Sequence, residues 1–385
     1  MDSSTDGTSP SGLLPYQEIA RLVAEGVIAA RTPIAPEQIQ PASLDLRLGP
    51  VAYRVPASFL PGERATVAER LTELRMHEAL DLTKPCMLER GCVYIVPVQE
   101  ELRLPPELAG RANPKSSTGR LDIFTRLITD HGTEFDHVRA GYHGPLFVEM
   151  VPRTFSVIVQ EGARLNQLRL VRGTPAFSDE RLAGLHRDEP LVYRGGEPVE
   201  ALISNGLWIT IDLQGQGDSE VVGYRARPYG VIDLSRIGHY DPADFWEPVH
   251  PSRRGTIVLD PDDFYILVSK EQISVPPSYA AEMVAYEPPI GEFRVHYAGF
   301  FDPGFGYGPG LRGTRGVLEV RSHEVPFLLE DGQIVARLVY ERLLEVPERL
   351  YGTSIGSSYQ NQGLTLSKQF RIQESGVGDQ GERRP

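Results

Sequence analysis

The feature that most constrains this chain is that it is written twice. The stretch "VYIVPVQEELRLPPELAGRANPKSSTGR" (93–120) aligns without gaps to "FYILVSKEQISVPPSYAAEMVAYEPPIG" (264–291). Tyr94 meets Tyr265, and Pro105–Pro106 meets Pro276–Pro277. Three more blocks match in the same order. "SLDLRLGPVAYRV" (43–55) resembles 210–227, "EFDHVRAGYHGPLFVEMV" (134–151) resembles 300–321, and "EGARLNQLRLV" (161–171) resembles "EDGQIVARLVY" (330–340). Asp136 thereby meets Asp302, and Glu149 meets Glu319. Such a repeat implies one domain, duplicated. The polar stretch 174–200 breaks the pattern and is expected to be a linker. The expected division is therefore 1–173, a linker over 174–200, and 201–385.

The matched blocks are short apolar or alternating runs such as "CVYIVPV", "PLFVEMV", "LWITIDL" and "GVLEVRS". With 38 Gly and 32 Pro between them, they predict many short strands in sandwich or barrel form. One helix is expected at "YQEIARLVAEGVI", where Ile19, Leu22 and Val23 share a face and Gly26 ends it. The length, 385 residues, suits two domains. A net charge of -13 argues against a nucleic-acid surface. No run of 18 apolar residues predicts a membrane span, and the polar N-terminus lacks a signal pattern. Two cysteines, Cys86 and Cys92, form no disulfide framework and fit a reducing, cytoplasmic setting.

Against that acidic background, "RANPKSSTGRLDIF" (111–124) stands out. Arg111, Lys115, Arg120 and nearby Arg126 set four positive charges against Asp122, beside the hydroxyls of Ser116 and Ser117. Hydroxyls, turn N–H groups and cations together bind phosphate oxygens, although such a segment alone also reads as a solvated turn. Copy 2 has "YEPPIG" there, which removes the hydroxyls and cations and adds Glu287. Glu149 ends an apolar strand, where partial burial suits a proton shuttle. An outward-facing strand residue is the other reading.

These segments, with "PASLDLRLG" and the tail "YQNQG", resemble the dCTP deaminases of the trimeric dUTPase superfamily. The resemblance rests on Lys115, Ser116, Ser117 and Arg120, then Asp136, then Glu149, the "GARLNQL" strand (162–168), and Tyr351, Tyr359 and Gln362 in the tail. It implies a mainly β fold of two tandem β-clip, distorted-barrel domains, the second degenerate and ending in a lid tail. It implies hydrolysis of dCTP to dUTP and ammonia. Glu149, Ser116 and Arg120 are then the catalytic group. Lys115, Ser117, Thr118, Gly119, Asp136, Phe147, Val148, Gln167, Tyr351, Ser358 and Gln362 are the substrate-binding set. Mg²⁺ is expected to arrive with the triphosphate. Zinc is not expected, because no H-x-E precedes a P-C-x-x-C. dTTP is a candidate inhibitor. A trimer of chains is expected, since superfamily sites lie between subunits. Lys115 replaces the family arginine, Ser358 replaces the tail lysine, and Asp130 stands where a small residue is usual. These departures bear on substrate choice more than on reaction class. Two other readings stay open: a dUTP diphosphatase or bifunctional enzyme using Asp136 or Asp130, and, since copy 2 is degenerate, a nucleotide-binding regulator without turnover.

Overall fold

A computed structural model describes residues 10–74, 78–215, 220–285, 293–295, 299–322, 325–352 and 363–372. In the first copy, α1 (Tyr16–Ala24) buries Ile19 and Leu22, and β1 (Ile28–Ala30) follows it. A loop carrying α2 (Val67–Glu73) leads to the long strand β2 (Val93–Arg103). Next come β3 (Leu108–Pro114), the single turn α3 (Ser116–Gly119), β4 (Ile123–Thr129), β5 (His143–Pro152), β6 (Ser156–Val159) and β7 (Arg164–Arg172). β5 lies antiparallel between β2 and β4, and β7 lies antiparallel beside β3 and Leu44–Arg47.

The second copy repeats this plan from α4 (Asp179–Asp188) and β8 (Val192–Arg194) onward. β9 (Val231–Asp233) and the short α5 (Pro242–Phe245) precede β10 (Phe264–Ile273), β11 (Tyr279–Ala285), β12 (Thr314–Ser322) and β13 (Ile334–Arg342). The registers bear out the sequence alignment. Glu149 lies opposite Ile95 in one sheet, and Glu319 opposite Ile266 in the other.

The segment expected to be a linker is not one. It holds α4 and β8, and β8 pairs with β10 (Val192 opposite Ile273) as β1 pairs with β2 (Ile28 opposite Leu102). Leu182, Leu191 and Val192 are buried in the second core. The stretch reads as polar because α4 has only Leu182 and Leu185 as large apolar residues. One apolar contact line suffices once neighbouring strands supply the rest of the burial.

The copies are joined by both apolar and charged contacts. The first core continues into Ile232, Trp246, Phe264 and Val317 of the second copy and into Leu366 and Phe370 of the C-terminal segment. Arg111 Nη2 donates to both Glu341 carboxylate oxygens at 2.6 Å. Arg169, fully buried, donates to the Ala281 and Phe301 carbonyls at 3.0 Å and to Asp302 at 3.2 Å. Arg321 pairs with buried Asp122. A buried charge left unpaired is costly, so these pairs fix how one copy sits on the other.

Candidate active site

The hydroxyl-bearing turn is built by its own backbone. Lys115 is extended, and its carbonyl accepts from the N–H of Thr118 (2.8 Å) and Gly119 (3.0 Å). Thr118 Oγ1 donates to the Leu165 carbonyl of β7 at 2.9 Å, which ties α3 to the sheet. Ser116 is left exposed, while Ser117 and Thr118 are buried.

Arg120 follows the turn and is almost fully buried. Its Nη1 donates to the Thr365 carbonyl at 3.1 Å, and its Nε lies 3.9 Å from Glu319 Oε1. The carboxylate facing the first copy's cation therefore comes from the second copy. Burial pushes the Glu319 carboxyl up to about 7, against the pull of Arg120. Asp302 belongs to the same place. Burial raises its pKa while Arg169, and more weakly Lys115, lower it.

Beside the turn is a pocket of about 490 Å³ lined by Asp45, Lys115, Ser117, Thr118, Arg164 and Lys368 among others. Lys115 Nζ pairs with Asp45 at 2.5 Å, and Arg164 Nη1 lies 4.0 Å from the same carboxylate. Burial lowers the pKa of Lys368, and the nearby Lys115 charge lowers it further. The lining also holds Glu161 and Asp233, so three cations meet three carboxylates. Glu161 pairs with Arg31 and Asp233 with Arg236, which leaves Lys115, Arg164 and Lys368 grouped around Asp45.

Glu149 is placed elsewhere. It is fully buried, but its partner is Arg126, whose Nη2 donates to Oε1 at 2.6 Å. Arg126 also donates to Ser58 (2.8 Å) and stacks on Phe135, 3.5 Å from the ring centroid. Phe147 shares this face with Val55, Val67 and Leu71, so the loop carrying α2 covers it. Val148 points into the main core instead. Asp136 stays on this side of copy 1. It takes a positive φ of 58°, accepts from the Leu127 N–H at 2.7 Å, and is pushed up to about 7 by burial.

The structure thus does not bring Glu149, Asp136, Phe147 and Val148 to Ser116 and Arg120. Their second-copy counterparts, Asp302 and Glu319, are there instead. The reason is geometric: Arg120, just past α3, reaches Glu319 on β12 of the second copy, while Glu149 on β5 is turned to Arg126. Arg111 and Arg126, two of the four expected cations, are spent on Glu341 and Glu149. Asp130 accepts from the Val67 N–H at 2.8 Å and caps α2, well occupied away from the turn. Gln167 is buried on β7, opposite Asp45 and Asn113. Tyr351 packs on Phe305 in the second core, with ring centroids 5.8 Å apart. Ser358 and Gln362 lie outside the described residues. Residues 363–372, part of the expected lid tail, are docked, with Leu366 and Phe370 in the first core and backbone hydrogen bonds to the second copy's Gly238, His239 and Tyr240. Asp45 and Arg164 lie in "PASLDLRLG" and "GARLNQL", two segments that carry the resemblance, but neither was singled out, because each is one polar residue in an ordinary strand.

Two family models match in succession. One is described as the 2'-deoxycytidine 5'-triphosphate deaminase (DCD) N-terminal domain, over residues 10–174; the other as its C-terminal domain, over residues 178–370. The chain belongs to the dCTP deaminase family. A solved 2'-deoxycytidine 5'-triphosphate deaminase from Agrobacterium tumefaciens is 50% identical, with a TM-score of 0.85 over 90% of this chain and 100% of that one. A dCTP deaminase from Natronomonas pharaonis is 30% identical over 40% of this chain and 78% of its own length. A relative from Parafrankia sp. named "dCTP deaminase, dUMP-forming" is 34% identical over 36% of this chain and 66% of its own length. The mainly β, two-domain form of this dCTP deaminase family member agrees with the two consecutive matches. Among its described residues, no helix is long and apolar enough to cross a membrane.

Proposed function

We propose that the chain deaminates dCTP to dUTP and ammonia at a site shared by its two copies, with Glu319 rather than Glu149 as the proton shuttle. The observation that carries this reading is Arg120 beside buried Glu319, next to the hydroxyl turn. A carboxyl with a pKa near 7 is populated in both forms at neutral pH, as acid–base work requires. In the reaction, water attacks C4 of the cytosine and gives one proton to Glu319, which passes it to N3. The second proton moves from the new hydroxyl, through the same carboxylate, to the amine. The C4–N bond then breaks and ammonia leaves. Arg120 keeps the carboxylate form within reach by opposing its burial.

The triphosphate suits the pocket of Lys115, Arg164, Lys368 and Ser117, with Mg²⁺ carried on its own oxygens. Lys368 supplies the tail cation absent at Ser358. Among the described residues, no three His, Cys, Asp or Glu side chains converge as a metal site. Every group invoked belongs to one chain, which gives one site per chain. Unbridged Cys86 and Cys92 favour a reducing cytoplasm. The dUMP-forming relatives support a second reading in which dUTP is hydrolysed further.

The test is incubation with dCTP and Mg²⁺, reading ammonia, dUTP and dUMP together, before and after stripping with a zinc chelator. We expect ammonia and dUTP in equal amounts at an unchanged rate. Absence of ammonia sinks the reading; dUMP with pyrophosphate supports the bifunctional one; zinc-dependent turnover overturns the shuttle mechanism.

A further inference from the structure

We infer that Phe370 is a positioning residue for the active site, held in an aromatic socket that the second copy builds for it. The inference rests on the reading of the site given above. Two loops occupy equivalent places in the two copies, and they do different things. In copy 1, the loop with α2 folds over the face of Glu149. In copy 2, the loop with β9 and α5 reaches across to copy 1. β9 adds in parallel to β6, with Val231 opposite Ser156 and Ile232 opposite Val157. Gly230 makes room for the Phe245 ring of the same loop, which a Cβ there would meet at 2.4 Å.

The same loop grips the C-terminal segment. The Gly238 N–H donates to the Lys368 carbonyl (2.9 Å), those of His239 and Tyr240 to the Gln369 carbonyl (2.8 and 3.1 Å), and that of Arg371 to the Tyr240 carbonyl (2.9 Å). Gln369 Nε2 donates to the Leu234 carbonyl at 3.1 Å. Phe370 is 4% exposed and meets Phe245, Trp246 and Tyr240, with ring centroids 5.6, 5.9 and 6.3 Å away. Edge-to-face ring packing of this kind adds to the burial of a whole phenyl side chain.

What the anchor holds is the site. Within five residues of Phe370, the Thr365 carbonyl receives Arg120 Nη1, and Ser367 Oγ lies 2.8 Å from the Ser117 carbonyl. Lys368 lines the pocket beside Lys115. Arg120 is thus clamped between a backbone carbonyl fixed by the anchor and the Glu319 carboxylate. Releasing Phe370 frees Thr365 and Lys368 to drift, which loosens Arg120 and withdraws one cation from the triphosphate. A displacement of about 1 Å in such a positioning contact is enough to cost a large factor in turnover.

The experiment compares full-length Phe370→Ala and Phe370→Leu with the unaltered protein. Steady-state dCTP deamination, thermal unfolding and amide hydrogen exchange are followed together. We expect Phe370→Ala to raise KM for dCTP about tenfold or more, with kcat falling less than KM rises. Amides of Gly238, His239 and Tyr240 should lose protection, and Phe370→Leu should recover most of KM. A role in stability alone lowers the active fraction, and so kcat, while KM stays put. An unchanged KM with lost amide protection overturns the inference. Should the unaltered protein not deaminate dCTP, the proposed reaction fails by itself. The anchor is then judged by dCTP titration, where equal affinity in both proteins overturns it.

Discussion

Glu149 and Glu319 occupy the same place in their respective copies, yet their surroundings divide them. One is neutralised by Arg126 under a covering loop; the other faces Arg120 beside the hydroxyl turn. Glu319→Gln should therefore cut kcat a hundredfold or more, the scale of lost acid–base catalysis, while Glu149→Gln should leave kcat within about threefold and lower the melting temperature. Single-turnover and steady-state assays on dCTP decide this; the reverse order returns the shuttle to Glu149. The pH dependence carries the same assignment. The Glu319 carboxyl is raised from an ordinary 4.5 to about 7. Between those values the folded chain keeps a proton that the unfolded chain has released, so stability falls as pH rises through the window. Asp136 contributes in the same direction. Chemical unfolding at pH 5 and at pH 7.5 should show a smaller stability difference in Glu319→Gln than in the unaltered protein. The acid limb of kcat/KM should lie near 7 and move upward in Arg120→Ala. Both carboxylates were visible in the sequence, and so were all the groups of the hydroxyl turn. What was hidden was which carboxylate faces which cation, because strand alternation sets the side of a sheet and says nothing about the sheet's neighbour.

At the scale of elements, the long strands β2, β5, β10 and β12 could be read from their β-branched and aromatic runs, and α1 from its spacing. The elements that escaped are those whose stability comes from tertiary contact. α4 is largely charged, and the docked segment 363–372 is polar apart from Leu364, Leu366, Phe370 and Ile372. Composition reads both as loop, yet apolar side chains set into a ready-made groove order each of them. The pocket beside α3 draws one cation from each of three elements, only the last of which escaped the sequence: Lys115 from the end of β3, Arg164 from β7 and Lys368 from the C-terminal segment. Lys368→Ala should raise KM for dCTP several-fold. It should also flatten the rise of KM with salt, since partly exposed charges are screened. A salt response identical to that of the unaltered protein would place Lys368 outside the phosphate pocket.

At the scale of the whole molecule, the duplication reads as a division of labour. Copy 1 keeps the hydroxyls and cations, copy 2 keeps the carboxylates that face them, and the C-terminal segment closes the arrangement on copy 1. Co-expression of Arg120→Ala with Glu319→Gln tests this directly. Sites formed within one chain regain nothing, because each chain carries its own defect. Sites formed between chains would recover a quarter or so of the activity through hybrid assemblies, and that outcome would reinstate the intersubunit arrangement first expected from the sequence. The duplication itself was legible because the repeat survives in the apolar strands; its functional asymmetry was legible only as the loss of "KSSTGR" from copy 2. The buried bridges across the copies, Arg169 to Asp302 and Arg321 to Asp122, have a consequence for descent. Once two halves each retain only the part of a site that the other lacks, neither can be deleted, and neither can drift back to self-sufficiency by a single change. Such a lineage is held to its doubled length in the way a ratchet holds a wheel.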